Sequence, residues 1–219
     1  MWDFIKDRHQ QILYDAFQHV YLVVLAVIIA MVIAVVLAVL VTTFPRILGI
    51  PTAPTANSLS AIGLTIPSFA LIGLLLPLTH IGANTALICV CFYAIFPILR
   101  NAVVGLDGVD ATLIESARGM GMGEIAILAR IKVPLAWPVI LAGIRVSLQM
   151  SMGVAAIAAL VLGPGLGSYI FTGLAQVGGT NAVNYALVAT LAIVILALAL
   201  DLLLLLLGRL TISKGIRAS

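Results

Sequence analysis

The chain has 219 residues, of which 63% are hydrophobic and only 9% charged, with a net charge of +3, and its mean hydropathy is +1.26. Soluble domains carry about a quarter charged residues, so this composition excludes a water-soluble globular domain and predicts an all-α, polytopic membrane protein. The small positive excess is scattered and forms no basic patch, which argues against a nucleic-acid partner. Cys89 and Cys91 lie two apart in an apolar run. On a helix they point in different directions, which argues against a disulfide or metal pair and makes them packing residues.

Taken in order, residues 1–18 mix Asp3, Lys6, Asp7, Arg8 and Asp15 with Trp2, Phe4, Ile5, Ile12, Leu13 and Phe17. The mixture predicts an amphipathic segment at the membrane interface. The first span is expected over 19–41. It is too long for a signal-peptide core and is read as retained. In it Ala26, Ala30, Ala34 and Ala38 form a small-residue stripe that lets helices approach closely in lipid. Residues 42–56, with three prolines and Arg46, read as a loop. A second span is expected over 58–78, bent at Pro67, and a third over 85–103, bent at Pro97. After a polar stretch from 104 to 134 comes a fourth span, 135–162. Its stripe of Gly143, Ser147, Ser151, Ala155 and Ala159 should be the main packing seam. The glycine-rich run 163–184 reads as a re-entrant or surface hairpin. A fifth span covers 185–207, and 208–219 form a basic tail. With the central loop and tail on the cytoplasmic side, the inner set comprises Arg46, Arg100, Arg118, Arg130, Lys132, Arg209, Lys214 and Arg217, eight of the eleven basic residues. That bias predicts an outside N-terminus and a cytoplasmic C-terminus.

The central stretch Asp110–Pro134, DATLIESARGMGMGEIAILARIKVP, is the only long polar interruption between apolar runs. Asp110 is placed to cap a short helix on which Leu113, Ile114 and Ala117 share a face. Glu115 and Arg118, three apart, form a weak local pair. Gly119, Gly121 and Gly123 should end that helix. A second short helix over 124–132 then leads to Pro134, giving a compact knob of two helices about a glycine elbow.

Within this stretch Glu115, Ser116 and Ala117 are followed after three residues by Gly121, and after nine more by Ile131, Val133 and Pro134. The spacing resembles the EAA cytoplasmic loop of ABC importer permeases, with Ser116 for the first alanine and Val133 for leucine. The flanking runs IPSFALIGLLLP, YAIFPILRN, GLDGVD and PLAWPVILAGIR extend the resemblance over 66–174. They are similar to permeases of the glycine betaine, carnitine and choline importers, which share a methionine-importer-like fold. The resemblance implies a multi-pass subunit of a prokaryotic cytoplasmic membrane that pairs with a second permease subunit. It implies docking to an ABC ATPase through a coupling helix, here Glu115, Ser116, Ala117, Arg118, Gly119 and Gly121. It also implies delivery of substrate by an extracytoplasmic binding protein. No GxxxxGK[ST] motif is present, so ATP hydrolysis falls to another polypeptide, and the chain is expected to be non-catalytic and free of cofactor and metal.

Inside the spans, Arg145 and Gln149 lie one turn apart, and a charge at that depth faces a cavity or a partner. With Ser151 they are candidates for a translocation pathway. Asp201 is placed to pair with Arg145 or to reach toward Arg209. Phe92, Tyr93 and Phe96 offer ring faces to a quaternary ammonium but suit packing better. Two other readings compete: a permease of the same fold carrying an amino acid or other small solute, and a secondary transporter or membrane scaffold needing no ATPase. The absence of an obvious internal repeat weighs against the latter.

Overall fold

A computed structural model describes residues 1–43 and 52–212. The expected loop around Arg46 and the tail residues Lys214 and Arg217 lie outside the described residues. Among those described, the chain folds as α1 (Trp2–Thr43), α2 (Thr52–Thr65), α3 (Ser68–Thr79), α4 (Ala83–Asp107), α5 (Ala111–Gly119), α6 (Glu124–Ile127), α7 (Val133–Ala158), α8 (Gly167–Ala175) and α9 (Ala182–Thr211). Four of the helical segments are long and apolar enough to cross a membrane, and α2 with α3 makes a fifth if that bent pair is one span.

Residues 1–18 are not set apart from the first span: they are the opening turns of α1, which runs through His19 without a break. Its 42 residues reach roughly 63 Å, about twice the thickness of a hydrocarbon core. The first turns therefore stand outside the apolar layer. The second apolar stretch is broken, with α2 and α3 meeting at 84°. Pro67 sits at the break in extended backbone, where its missing N–H leaves the helix one donor short. The Tyr93 hydroxyl donates to the Ile66 carbonyl there, and Ser60 Oγ donates to Phe96 O at 3.2 Å. Bent backbone at membrane depth is thus tied to α4, as lipid requires. The Phe92 ring makes edge contacts with Tyr93 and with Phe96, and all three belong to this packing.

The core is built from α1, α4 and α7. Ala26, Ala30, Ala34 and Ala38 are wholly buried on α1, and Cys91 Sγ donates to Ala26 O at 3.5 Å. On α7, Gly143, Ser147, Ser151 and Ala155 are buried. A Cβ added at Gly143 would lie 2.7 Å from Asn101 Cβ and 2.9 Å from Pro97 O. Ser147 Oγ donates to Ala94 O at 2.8 Å, in the turn of α4 that Pro97 loosens.

Topology gives the bundle two distinct ends. At one, Gly82 N donates to Val161 O at 2.9 Å, and the opening turns of α1 meet the hairpin formed by α8 and the start of α9. Glycines shape this hairpin by close approach: a Cβ at Gly167 would lie 2.1 Å from Ala156 O. At the other end α4 gives way to α5, and Trp137 Nε1 donates to Thr211 Oγ1 at 2.8 Å. The central loop has the expected first short helix and glycine elbow, but its second helix is not separate from the span that follows. From Glu124 the chain is helical through a π turn, Leu128–Lys132, directly into α7, with Val133 N donating to Leu128 O. Pro134 cannot donate to the ladder, and the widened turn just before it absorbs the mismatch.

Gly143→Val should overpack the α4–α7 seam at a cost of about 1–3 kcal/mol. Gly153→Ala, with nothing within 4 Å of its added Cβ, should be neutral. Thermal unfolding of the purified protein in detergent reads the difference; equal melting of both variants with wild type would show that the seam is not tightly packed.

Candidate functional site

The polar loop is built around one cap at each end of α5. Asp110 Oδ1 accepts from Thr112 N at 2.9 Å and from Thr112 Oγ1 at 2.6 Å, satisfying a donor that the helix itself leaves unpaired. These hydrogen bonds hold the Asp110 carboxyl below its ordinary range, the Thr112 hydroxyl contributing most. The cap is therefore at full strength above the usual carboxylate pKa and weakens as pH falls through the depressed value.

At the other end Met122 N donates to Ala117 O at 3.0 Å and Gly121 N to Arg118 O at 2.9 Å. This nested pair is a Schellman motif, which needs a left-handed residue after the cap. Gly121 supplies it, with φ of +84°. Gly119 is the last residue of α5 and Gly123 the extended residue before α6, so of the three loop glycines only Gly121 is required by its backbone angle.

Arg118 does not pair with Glu115. Its Nη2 and Nε lie 2.7 and 3.0 Å from Glu124 Oε1, so the ion pair spans the glycine turn and ties α5 to α6. With both side chains more than half exposed, the pair contributes at most about 1 kcal/mol. Its role is to hold an angle. Ala117 is the only buried residue of α5, and Ile127 of α6 is buried as well. Glu115, Ser116, Arg118 and Gly119 are exposed. So are Met120 (75%) and Ile125 (84%), two large apolar side chains flanking the elbow. Neither was singled out by the sequence pattern. Glu124 lies six residues from Arg118, beyond the helical i,i+3 and i,i+4 rule, and becomes a neighbour only once the chain turns at Gly121.

The other candidates separate in space. Arg145 Nε and Nη2 each lie 2.8 Å from one oxygen of Asp201, a two-pronged bridge between α7 and α9. Gln149 sets its amide beside the same carboxylate. Arg145 lies twelve residues into α7, roughly 18 Å from its start, so the pair closes two charges inside the span that neither could leave unpaired at low cost. Ser151 is wholly buried in the α7 seam, and its hydroxyl has no hydrogen-bond partner among the described residues. No group of histidine, cysteine or carboxylate side chains suited to a metal occurs among the described residues.

A broken second span, a small-residue three-helix core and a capped polar elbow running into a long membrane helix define a polytopic helical membrane protein. Residues 54–212 match the family of binding-protein-dependent transport system inner membrane components, and the chain belongs to that family. It is 32% identical over 217 residues, 99% of this chain and 96% of the relative, to the glycine betaine/carnitine/choline transport system permease protein OpuCB of Bacillus subtilis. It is 39% identical over 207 residues, 92% of each chain, to the osmoprotectant import permease protein OsmW of Salmonella typhimurium. Its fold is similar to that of a chain in a structure of the MetNI methionine ABC transporter solved in an inward-facing conformation, with a TM-score of 0.69 at 22% identity over 94% of this chain and 95% of that one.

Arg145→Leu should leave Asp201 unpaired in the span, at a cost of about 2.5–3.5 kcal/mol. The double variant Arg145→Leu/Asp201→Leu should recover most of that loss, because an apolar pair can replace an ion pair in a low-dielectric interior. Melting temperature and membrane yield measure both; equal losses in the single and double variants would show that pairing is not what the two residues supply.

Proposed function

We propose that this chain is the permease subunit of an ABC importer that carries quaternary ammonium osmoprotectants such as glycine betaine, carnitine and choline across the cytoplasmic membrane. The observation that carries the reading is near-full-length similarity to permeases named for those cargoes, on a chain whose loop has the elbow geometry described above. The N-terminus lies outside and the tail inside, as the distribution of basic residues favours. A second permease subunit completes the pathway, a binding protein supplies the cargo, and a separate ATPase hydrolyses ATP, since this chain has no phosphate-cradling glycine motif. Spans over 19–41, 58–78, 85–103, 135–162 and 185–207 cross the bilayer, and 104–134 face the cytoplasm.

In this reading Glu115, Ser116, Ala117, Arg118, Gly119 and Gly121 form the coupling element. α5 enters a groove on the ATPase at the angle fixed by Gly121 and by the Arg118–Glu124 tie. Met120 and Ile125 are the apolar contacts at the elbow. Arg145, Gln149 and Ser151 remain candidates for the pathway, Arg145 and Gln149 through the charge and amide they place with Asp201 inside the span.

In the assembled system, uptake of radiolabelled choline or glycine betaine should saturate and be competed by the other two compounds. Saturable uptake of a neutral amino acid that no quaternary ammonium competes would instead favour a permease of the same fold with a different cargo.

Gly121→Val puts a β-branched side chain at φ of +84°, at a cost of roughly 1–2 kcal/mol. No neighbouring atom is met, since nothing lies within 4 Å of the added Cβ. Membrane insertion should therefore persist while ATPase co-purification and transport-linked ATP hydrolysis fall. Wild-type levels of both would remove this loop from the coupling role.

A further inference from the structure

One face of α1 carries Phe4, Arg8, Asp15 and His19 at spacings of four, seven and four residues, a helical stripe. It meets the hairpin end of the bundle. The Arg8 guanidinium lies 5.1 Å from the centroid of Phe4 and 5.1 Å from that of Tyr185. Those two rings meet edge to face at 4.8 Å, making a corner, and Tyr169 stands 5.7 Å from Tyr185. Tyr169 is 5% exposed, yet its hydroxyl has no hydrogen-bond partner among the described residues. Phe4 and Arg8 line a cleft of about 810 Å³ whose rim also carries Asp3, Asp7, Gln10 and Asn184, with the Tyr185 ring behind Arg8. None of the ion pairs found among the described residues involves Arg8. Ring faces therefore hold this cation where a carboxylate would usually do so.

We propose that this aromatic corner is a binding site for a quaternary ammonium headgroup, and that Arg8 is the resident cation it displaces. The ring quadrupole attracts a diffuse cation without donating or accepting a hydrogen bond. A trimethylammonium group, which has no N–H to satisfy, suits such a surface better than a guanidinium, whose five donors want acceptors. Asp3 and Asp7 at the rim draw cations toward the cleft and give a displaced Arg8 somewhere to turn. The cleft lies at the end of the bundle opposite the coupling loop, where cargo would arrive. The identity of the ligand rests on the osmoprotectant reading above.

The test uses the permease assembled with its ATPase in lipid nanodiscs, with no binding protein present. Saturation-transfer NMR is read on the methyl protons of tetramethylammonium. Wild type should show transfer, Arg8→Gln should strengthen it at least twofold, and Tyr185→Leu should abolish it while Tyr185→Phe retains it. ATPase co-purification checks that each variant is assembled. Arg8→Gln, on a half-exposed position, keeps the test valid if Tyr185→Leu fails to assemble. Loss of signal in Arg8→Gln, or no change, would show that Arg8 only clamps α1 to α9 and would overturn the site. Choline-competed uptake together with a signal indifferent to these variants overturns the site and leaves the cargo reading standing. An Arg8-sensitive signal in a system that transports no quaternary ammonium supports the site and overturns the cargo reading.

Discussion

The structure depends on how closely α7 approaches α4. In lipid there is no hydrophobic force to press two apolar helices together, so packing and hydrogen bonds between them must do it. Gly143 leaves no side chain between α7 and the Pro97 carbonyl. One turn on, Ser147 donates to Ala94 O, and on α4 itself Asn101 Nδ2 donates to Pro97 O at 2.8 Å. Proline removes a donor from α4, and two carbonyls beside it, Ala94 O and Pro97 O, accept from side chains. Pro97 within the continuous helix α4 and the smallness of α7 therefore go together: the turn that lacks a donor is the one α7 approaches most closely.

From that seam the two ends of the molecule take their shape. At the hairpin end, left-handed Leu162 and close-packed glycines turn the chain back over α7, and His19 Nε2 meets Met152 O at 3.1 Å, fixing α1 against the same helix. A Cβ at Gly165 would lie 2.7 Å from His19 Nδ1, so the hairpin can close only over a glycine. At the loop end little is buried, and geometry is held instead by a cap, a Schellman turn and one exposed ion pair. The contrast is physical: the hairpin end is specified by packing, the loop end by backbone hydrogen bonds.

Much of this was legible in the sequence, and the reasons are specific. Hydropathy exposes the apolar runs because lipid forces whole segments to be apolar. The small-residue stripes on α1 and α7 are periodic and so can be counted. Asp110 and Gly121 stand out because caps and left-handed turns restrict residue type strongly. What was not legible depends on tertiary placement or on continuity. The partner of Arg118 is Glu124 because the elbow folds back, and no local spacing rule reaches across a turn. Asp201 had two candidate cations, and only the register of α9 against α7 selects Arg145. The continuation of residues 1–18 into α1 was hidden because a change in polarity along a helix looks like a boundary. Pro134 looked like the start of a new helix, whereas the π turn lets the existing one continue.

That last difference changes how the loop relates to the membrane part of the molecule. A knob on a flexible tether would transmit little, since a flexible loop absorbs displacement in its dihedrals. Here Glu124–Val161 is a single helical rod, and α5 is tied to its first turn by Arg118 and Glu124. A shift at the elbow thus moves the start of the rod that farther along carries Arg145, bonded to α9, and Gly143 and Ser147, locked against α4. Pro138 within α7 lacks a donor, and the π turn at Leu128–Lys132 is the other irregular place on that route. Its wider hydrogen-bond ring gives it a different compliance from the α-helical turns on either side. A displacement entering from the loop would therefore meet the π turn and Pro138 before it reaches the seam with α4 and the bridge to α9.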